Sequence, residues 1–189
     1  MRKILLLIAL AFYAISCQNS NTFETINVKD YSVDIPTNLS KTENLNKEAS
    51  LQYQNLLKEL YIIVIDESKK QVEKAIKDNG LDQMYSNDFK GYVELMSTNF
   101  NNLIGVKNKT QKDTLINSLE TKIVKFEAKL EEYDIFYEIA YVNGIENYYQ
   151  IMTWTLLSKK EDHEEAMDKM IYSFKINNSK KYIKSAKKE

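Results

Sequence analysis

Residues 119–157 read LETKIVKFEAKLEEYDIFYEIAYVNGIENYYQIMTWTLL, and this run decides the fold. From Leu119, Val124, Phe126, Ala128 and Leu130 alternate with Ile123, Lys125, Glu127 and Lys129. A period of two marks a strand, because successive side chains point to opposite faces. Tyr133 to Val142 and Tyr148 to Leu157 follow, separated by Asn143-Gly144-Ile145-Glu146, and Asn-Gly is the strongest short hairpin signal. Consecutive strands with short turns predict an antiparallel meander.

Downstream, Ser158 and Glu161 have capping-box spacing, and Ala166, Met167, Met170, Ile171 and Phe174 give a terminal helix one apolar stripe. Upstream, the period is that of a helix. Phe89, Tyr92, Val93, Met96, Phe100 and Leu103 recur at steps of three and four, which predicts a helix from about Asn87 to Leu103 stopped by Gly105. A shorter helix is expected after Ser68, with Gln71 at capping-box spacing, an apolar face of Val72, Ala75 and Ile76, and Gly80 as its stop. Before it, Leu60 to Ile65 (LYIIVI) is continuous and β-branched, as in a strand covered on both faces. Leu51 and Tyr53 alternate with Gln52 and Gln54, which reads as a strand, with a helix as the alternative. Phe23 to Val28 and Tyr31 to Ile35 form a hairpin across Lys29-Asp30, closed by Pro36. The predicted class is α+β: an antiparallel β-sheet with helices packed on its faces.

The amino terminus has a different logic. Arg2 and Lys3 precede an unbroken apolar run, Ile4 to Ile15, which then gives way to Ser16, Cys17 and the polar Gln18-Asn19-Ser20-Asn21. A spanning helix needs about 20 apolar residues, so the run reads as a signal-peptide core and not as an anchor. Ala14-Ile15-Ser16-Cys17 resembles the lipobox of bacterial lipoproteins, with alanine at Ala14 in place of leucine. That resemblance implies cleavage before Cys17 and lipid attachment to it. The expected organisation is a leader over 1–16, a tether over 17–22, one domain over 23–176 and a lysine-rich tail over 177–189. Lys175, Lys180, Lys181, Lys184, Lys187 and Lys188 fall at that end and suit a solvated terminus, or anionic headgroups near an anchored domain.

Composition removes several function classes. With 26 basic and 27 acidic residues spread along the chain, nucleic-acid binding is not favoured. Arg2 is the only arginine, so a chain cut before Cys17 has no guanidinium fork for bidentate grip of carboxylate or phosphate. One cysteine allows no internal disulfide, and four glycines supply no phosphate-cradling loop, so no cofactor is expected. His163, the only histidine, sits in Glu161-Asp162-His163-Glu164-Glu165, but the position four residues on is Met167, so the zinc-helix spacing fails. Its expected place is a solvated helix start, where acids suit the helix dipole. The serines lack a nucleophile elbow, and Glu131-Glu132 at a turn has no burial to raise a carboxyl pKa. No catalytic residue and no metal site are expected. The tyrosines of the meander pack or present an aromatic surface; Tyr137, Tyr148 and Trp154 are the candidates for such a surface, with Trp154 also suited to the core.

Tyr31 to Pro36, Ala49 to Tyr53, Glu59 to Ile65, Tyr148 to Trp154 and Met170 to Lys175 together resemble the PsbP-like lipoproteins of the DcrB type, over roughly residues 23 to 176. These segments are strand cores and a closing helix, so the resemblance implies a PsbP-like sandwich. It also implies a non-enzymatic accessory role exercised by binding other proteins. The expected function is that of a membrane-anchored module in the bacterial envelope, facing the periplasm, with an envelope protein as partner. Two other readings are a carrier or sensor for a small apolar ligand, which needs a cavity lined by Tyr and Met, and a hydrolase with an unrecognised site.

Overall fold

The computed structural model describes residues 22–177 apart from 102 and 104. The expected leader, Cys17 and the lysines beyond Lys175 lie outside the described residues. A hairpin of β1 (Phe23–Val28) and β2 (Tyr31–Pro36) leads into short β3 (Ser40–Lys41), then β4 (Leu51–Asn55) and β5 (Leu60–Ser68). Helices α1 (Lys69–Asp78) and α2 (Phe89–Asn101) follow. Next come β6 (Lys107–Ile116), β7 (Leu119–Leu130), β8 (Tyr133–Asn143) and β9 (Asn147–Leu156). A 3-10 turn (Leu157–Lys159), helix α3 (Lys160–Tyr172) and β10 (Lys175–Ile176) complete the domain.

Seven strands form one antiparallel sheet in the order β3-β4-β5-β9-β8-β7-β6, and β1-β2-β10 form a second. The α+β class and the meander are as the alternation predicts. The meander has one strand more than expected: β6 precedes β7 and pairs with it from Ile116↔Leu119 to Lys107↔Glu127. Its sequence, KNKTQKDTLI, shows no apolar alternation because most of the strand is exposed at the sheet edge. Lysines and a register shift between Lys107 and Thr110, with Asn108 at φ 51, blunt that edge against pairing with another chain.

Each face of the large sheet buries its own core. On one face, Leu60, Ile62, Val64, Ile123, Phe136, Ala140, Val142, Tyr149 and Ile151 meet Met167, Met170, Ile171 and Phe174 of the terminal helix segment and Tyr31, Val33 and Ile35 of β2. On the other, Val124, Phe126, Ala128, Ile135, Tyr137, Ile139 and Tyr141 meet Val72 and Ile76 of α1 and Phe89, Tyr92 and Val93 of α2. Covering both faces explains why β8 reads as nearly continuous apolar sequence, buried from Ile135 to Val142. Both sides of β7 are likewise covered near its middle, where Ile123 enters the first core and Val124 the second.

The helix ends differ in detail from expectation. Ser68 precedes α1 without a side-chain cap hydrogen bond, and the predicted face loses Ala75, which is exposed. Gly80 at φ 65 closes that helix, its N–H donating to the Lys77 carbonyl. For α2 the cap is Asp88, whose Oδ1 accepts from the Gly91 N–H at 2.8 Å and the Ser86 hydroxyl at 2.7 Å. Those hydrogen bonds, that of Ser86 first, hold the Asp88 carboxyl below its usual pKa. Ser158 lies inside the 3-10 turn, not at a cap, and α3 begins at Lys160. The Asn143-Gly144 hairpin forms, but Gly144 is not at positive φ. Its role is space, since a Cβ there would lie 2.4 Å from Cε2 of Tyr149 and 2.6 Å from the Asn147 carbonyl oxygen.

Candidate functional site

Two features combine unusual chemistry with access or burial. One is an open groove and the other a charge cluster around a buried glutamate.

The groove, about 780 Å3, runs between α2 and the outer strands β6 and β7. Its apolar lining comes from Phe89 and Val93, which helical spacing puts on one side of α2, with Ser97 and Thr98 further along. Lys90 and Glu94 of the same helix and Asp113, Glu120 and Lys122 of the strands add charges of both signs. Lys122 pairs with Asp113 at 2.8 Å, an exposed cross-strand bridge of little energetic weight. Beneath the groove, α2 is fixed by aromatic contacts. Tyr92 stacks on Tyr148 with ring centroids 4.2 Å apart and meets Tyr141 edge-on at 6.4 Å, while Phe89 reaches Tyr148 at 5.9 Å. The Tyr92 hydroxyl donates to Glu67 at 2.6 Å, and Gln150 Nε2 donates to the same carboxylate at 3.0 Å. Burial, aided by the Glu67 charge, drives the Tyr92 pKa far above that of a free phenol. That hydroxyl is a fixed donor and not an acid.

The charge cluster lies on the opposite face. Glu138 is fully buried, and its cross-strand partner Lys125 extends beneath α3 to reach Asp168 at 2.9 Å and Glu164 at 3.1 Å. Glu138 itself is 3.4 Å from the Lys125 ammonium, within ion-pair range but without hydrogen-bond geometry, so among the described residues neither carboxyl oxygen has a hydrogen-bond partner. Burial first, with Asp168 adding to it, pushes the Glu138 carboxyl up to about 8 against the opposing pull of Lys125. Burial by itself would lower the Lys125 ammonium, but Asp168, Glu138 and Glu164 outweigh it and hold its pKa above the usual value. Glu138 itself has no route to a substrate, being 0% exposed, while Lys125, Glu164 and Asp168 above it are partly exposed.

The residues singled out from sequence are distributed differently. Tyr137 and Tyr148 lie in the second core, each only 8% exposed, with Tyr137 stacked on Phe126 at 5.1 Å and Tyr148 under α2. They support α2 from below instead of offering an open aromatic surface. Trp154 is half-buried and stacks on Tyr61 at 5.2 Å and 7°. Register joins Tyr61, Trp154, Tyr137 and Phe126 in one row across four strands, so Tyr137 and Trp154 share a ladder of rings more than a site, and Tyr148 stands apart from it, opposite Glu67 and Asn143. His163 is a correction: it is 7% exposed, not solvated, and its Nε2 donates to the Lys58 carbonyl oxygen at 2.8 Å. A carbonyl only accepts, which places the proton on Nε2. Glu131 and Glu132 are exposed at the β7–β8 turn.

Neither the groove nor Glu138 was singled out by motif. A lone acid within Phe136-Tyr137-Glu138-Ile139-Ala140 is the signal that would have found the latter, since a strand covered on both faces must bury it. Among the described residues no helix is long and apolar enough to cross a membrane.

No protein-family model matches the sequence, and no curated protein matches it in a sequence search. Solved structures do share its fold. LpqN of Mycobacterium tuberculosis, described as involved in cell envelope biogenesis, matches with a TM-score of 0.51 at 7% identity, covering 84% of this chain and 92% of LpqN. Cyanobacterial PsbP (CyanoP) of Synechocystis sp. PCC 6803 matches with a TM-score of 0.50 at 8% identity, covering 87% of this chain and 99% of that one. At such identities the likeness is one of fold, and the fold is PsbP-like, as the sequence resemblance implies.

Proposed function

We propose that this chain is a lipoprotein of the bacterial cell envelope, anchored through lipid on Cys17, whose PsbP-like domain is a non-enzymatic accessory module that binds another envelope protein. Residues 1–16 act as the leader, and the domain faces the periplasm. The observation that carries the reading is the α2–β6–β7 groove: accessible, apolar at its floor and edged by charges of both signs. Phe89 packs against Tyr148 beside the β8–β9 hairpin, so the groove extends toward that end of the sheet. The described amino end, Thr22, bonds to Thr37 near the opposite end. A partner could therefore approach without displacing the anchor. LpqN, which shares the fold, is described as involved in cell envelope biogenesis, which favours the same compartment here.

An apolar-ligand carrier has less support, because Met167 and Met170 are packed into the first core with Tyr31 and Tyr149, and Met96 and Met152 pack against the second with Tyr92, Tyr137 and Tyr141. A hydrolase has less still, since the carboxyl raised to about 8 is closed to solvent.

Two measurements test the proposal. Full-length chain and its Cys17→Ser variant are compared for labelled-palmitate incorporation, gel migration and membrane fractionation; only the parent should take up label and migrate as the cleaved, lipidated form. A photo-crosslinker placed at Ser97 should capture an envelope protein that the same group at Lys47, exposed in the loop before β4 at the far edge of the sheet, does not. Identical behaviour of parent and variant removes the anchor, and equal capture at both positions removes the groove as the binding site.

A further inference from the structure

Among the described residues the seven exposed large apolar side chains are unevenly placed: Leu56 (62% exposed) and Leu57 (94%) share the β4–β5 turn, and Leu130 and Tyr133 flank the β7–β8 turn. Register puts these turns at one end of the sheet. Leu60 aligns with Thr155, and Thr155 with Phe136, so residues before Leu60 and before Phe136 project in the same direction.

The leucine turn is held in its outward pose. Asn55 Oδ1 accepts from the Lys58 N–H at 3.0 Å, His163 Nε2 donates to the Lys58 carbonyl at 2.8 Å, and Glu59 takes a left-handed φ of 55. The backbone is thus fixed from both sides while Leu57 projects into solvent. An isolated exposed leucine needs no explanation, but adjacent ones on a braced turn, with more apolar side chains at the same end, do.

The same turn stands beside the start of the domain. The Thr37 N–H donates to the Thr22 carbonyl at 2.9 Å, their hydroxyls are 2.6 Å apart, and Asn55 Nδ2 donates to the Asn38 carbonyl at 2.7 Å. Thr22 is therefore joined to the leucine turn through Thr37 and Asn38. Residues 18–21 separate Cys17 from Thr22. A chain of that length spans at most about 17 Å even when fully extended. A lipid on Cys17 cannot lie far from this end.

We propose that the β4–β5 turn seats Leu56 and Leu57 in the bilayer surface to which Cys17 is attached, so that anchor and turn together fix the orientation of the domain. This rests on the lipoprotein reading above. The charges at this end have both signs, Lys58, Lys129 and Lys160 against Glu59, Glu131, Glu132 and Asp134. Apolar contact and not attraction to anionic headgroups holds the turn, and seating does not depend on anionic lipid.

The sequence has one cysteine, and lipidation consumes it. Full-length lipidated protein carrying Leu57→Cys or Ser118→Cys can then be labelled with one environment-sensitive dye and reconstituted into vesicles of phosphatidylethanolamine with or without phosphatidylglycerol. An apolar element seated about 5–10 Å into the interface puts its dye within reach of acyl-chain nitroxides, so quenching at position 57 should exceed that at 118 by roughly threefold or more. The difference should be the same in both lipid mixtures and at every protein-to-lipid ratio. Equal quenching with one dye per chain overturns the seating while leaving the anchor intact. Two dyes per chain show that Cys17 is free, which removes both. A position-57 signal that fades as protein is diluted in lipid assigns the turn to a second copy of the chain and also overturns the proposal.

Discussion

The Lys125 ammonium stands 3.4 Å from the Glu138 carboxyl, cross-strand partners on β7 and β8, yet among the described residues the acid has no hydrogen-bond partner while the lysine is engaged by Asp168 and Glu164 from α3. Lys125 therefore ties the helix to the sheet, and Glu138 carries the desolvation penalty.

That asymmetry fixes a pH dependence. An acid ordinarily near 4.5 and raised to about 8 in the folded chain binds more protons folded than unfolded between those values, so its contribution to stability is full below about 4.5 and is lost as pH rises through about 8. Glu138→Gln keeps the volume and removes the titration. Urea unfolding across this window should show the parent weakening with rising pH and the variant with a smaller slope and greater stability at pH 8. Parallel profiles would refute the burial argument.

His163 holds the first turns of α3 to the β4–β5 turn through the Lys58 carbonyl. Its replacement by alanine leaves that carbonyl without its imidazole donor and opens a gap, at a cost of about 1–3 kcal/mol. Chemical denaturation measures it; a change within 0.5 kcal/mol, the ordinary range for surface positions, would count against a buried role.

Gly144→Ala drives a Cβ into the Tyr149 ring and the Asn147 carbonyl. Tyr149 is itself fixed, its hydroxyl donating to Asp30 at 2.7 Å and its ring packed against Tyr31 and Phe174, so it cannot simply swing away. Overpacking of this kind costs about 1–3 kcal/mol. A thermal-melt comparison decides, and an unchanged midpoint would mean that the hairpin relaxes freely.

The Tyr61–Trp154 stack, nearly parallel, should show a coupling of about 0.5–1.5 kcal/mol in a double-mutant cycle of Tyr61→Ala and Trp154→Ala. Strict additivity would make the row of rings a by-product of register. Burial first, then the hydrogen bond its hydroxyl donates to Glu59, pushes the Tyr61 phenol up to about 12. Absorbance titration of Tyr61→Phe against the parent should remove one late-ionising phenol.

The sheet was legible where a local pattern sufficed. Period-two alternation from Leu119, the Asn-Gly dipeptide and the β-branched run at Leu60 are properties of neighbouring residues, and each predicts its strand. β6 was not legible, because an exposed edge strand need bury nothing; Lys107 to Leu115 becomes a strand through its pairing with β7. His163 followed the same rule in reverse. Its acidic neighbours described a helix start correctly, but whether the ring met water or Lys58 depended on a turn about a hundred residues away.

By itself, then, the sequence determined the α+β class, the hairpins, the helix faces and the motif around Cys17, all of which are written in residues a few positions apart. Only the tertiary structure decided that Tyr137 and Tyr148 support α2 from below, that Glu138 is sealed beneath α3, that α2 and β6 leave a groove between them, and that Leu57 shares an end with Thr22. These are relations between distant segments, set by which strands pair and which faces a helix covers, and local periodicity carries no information about either.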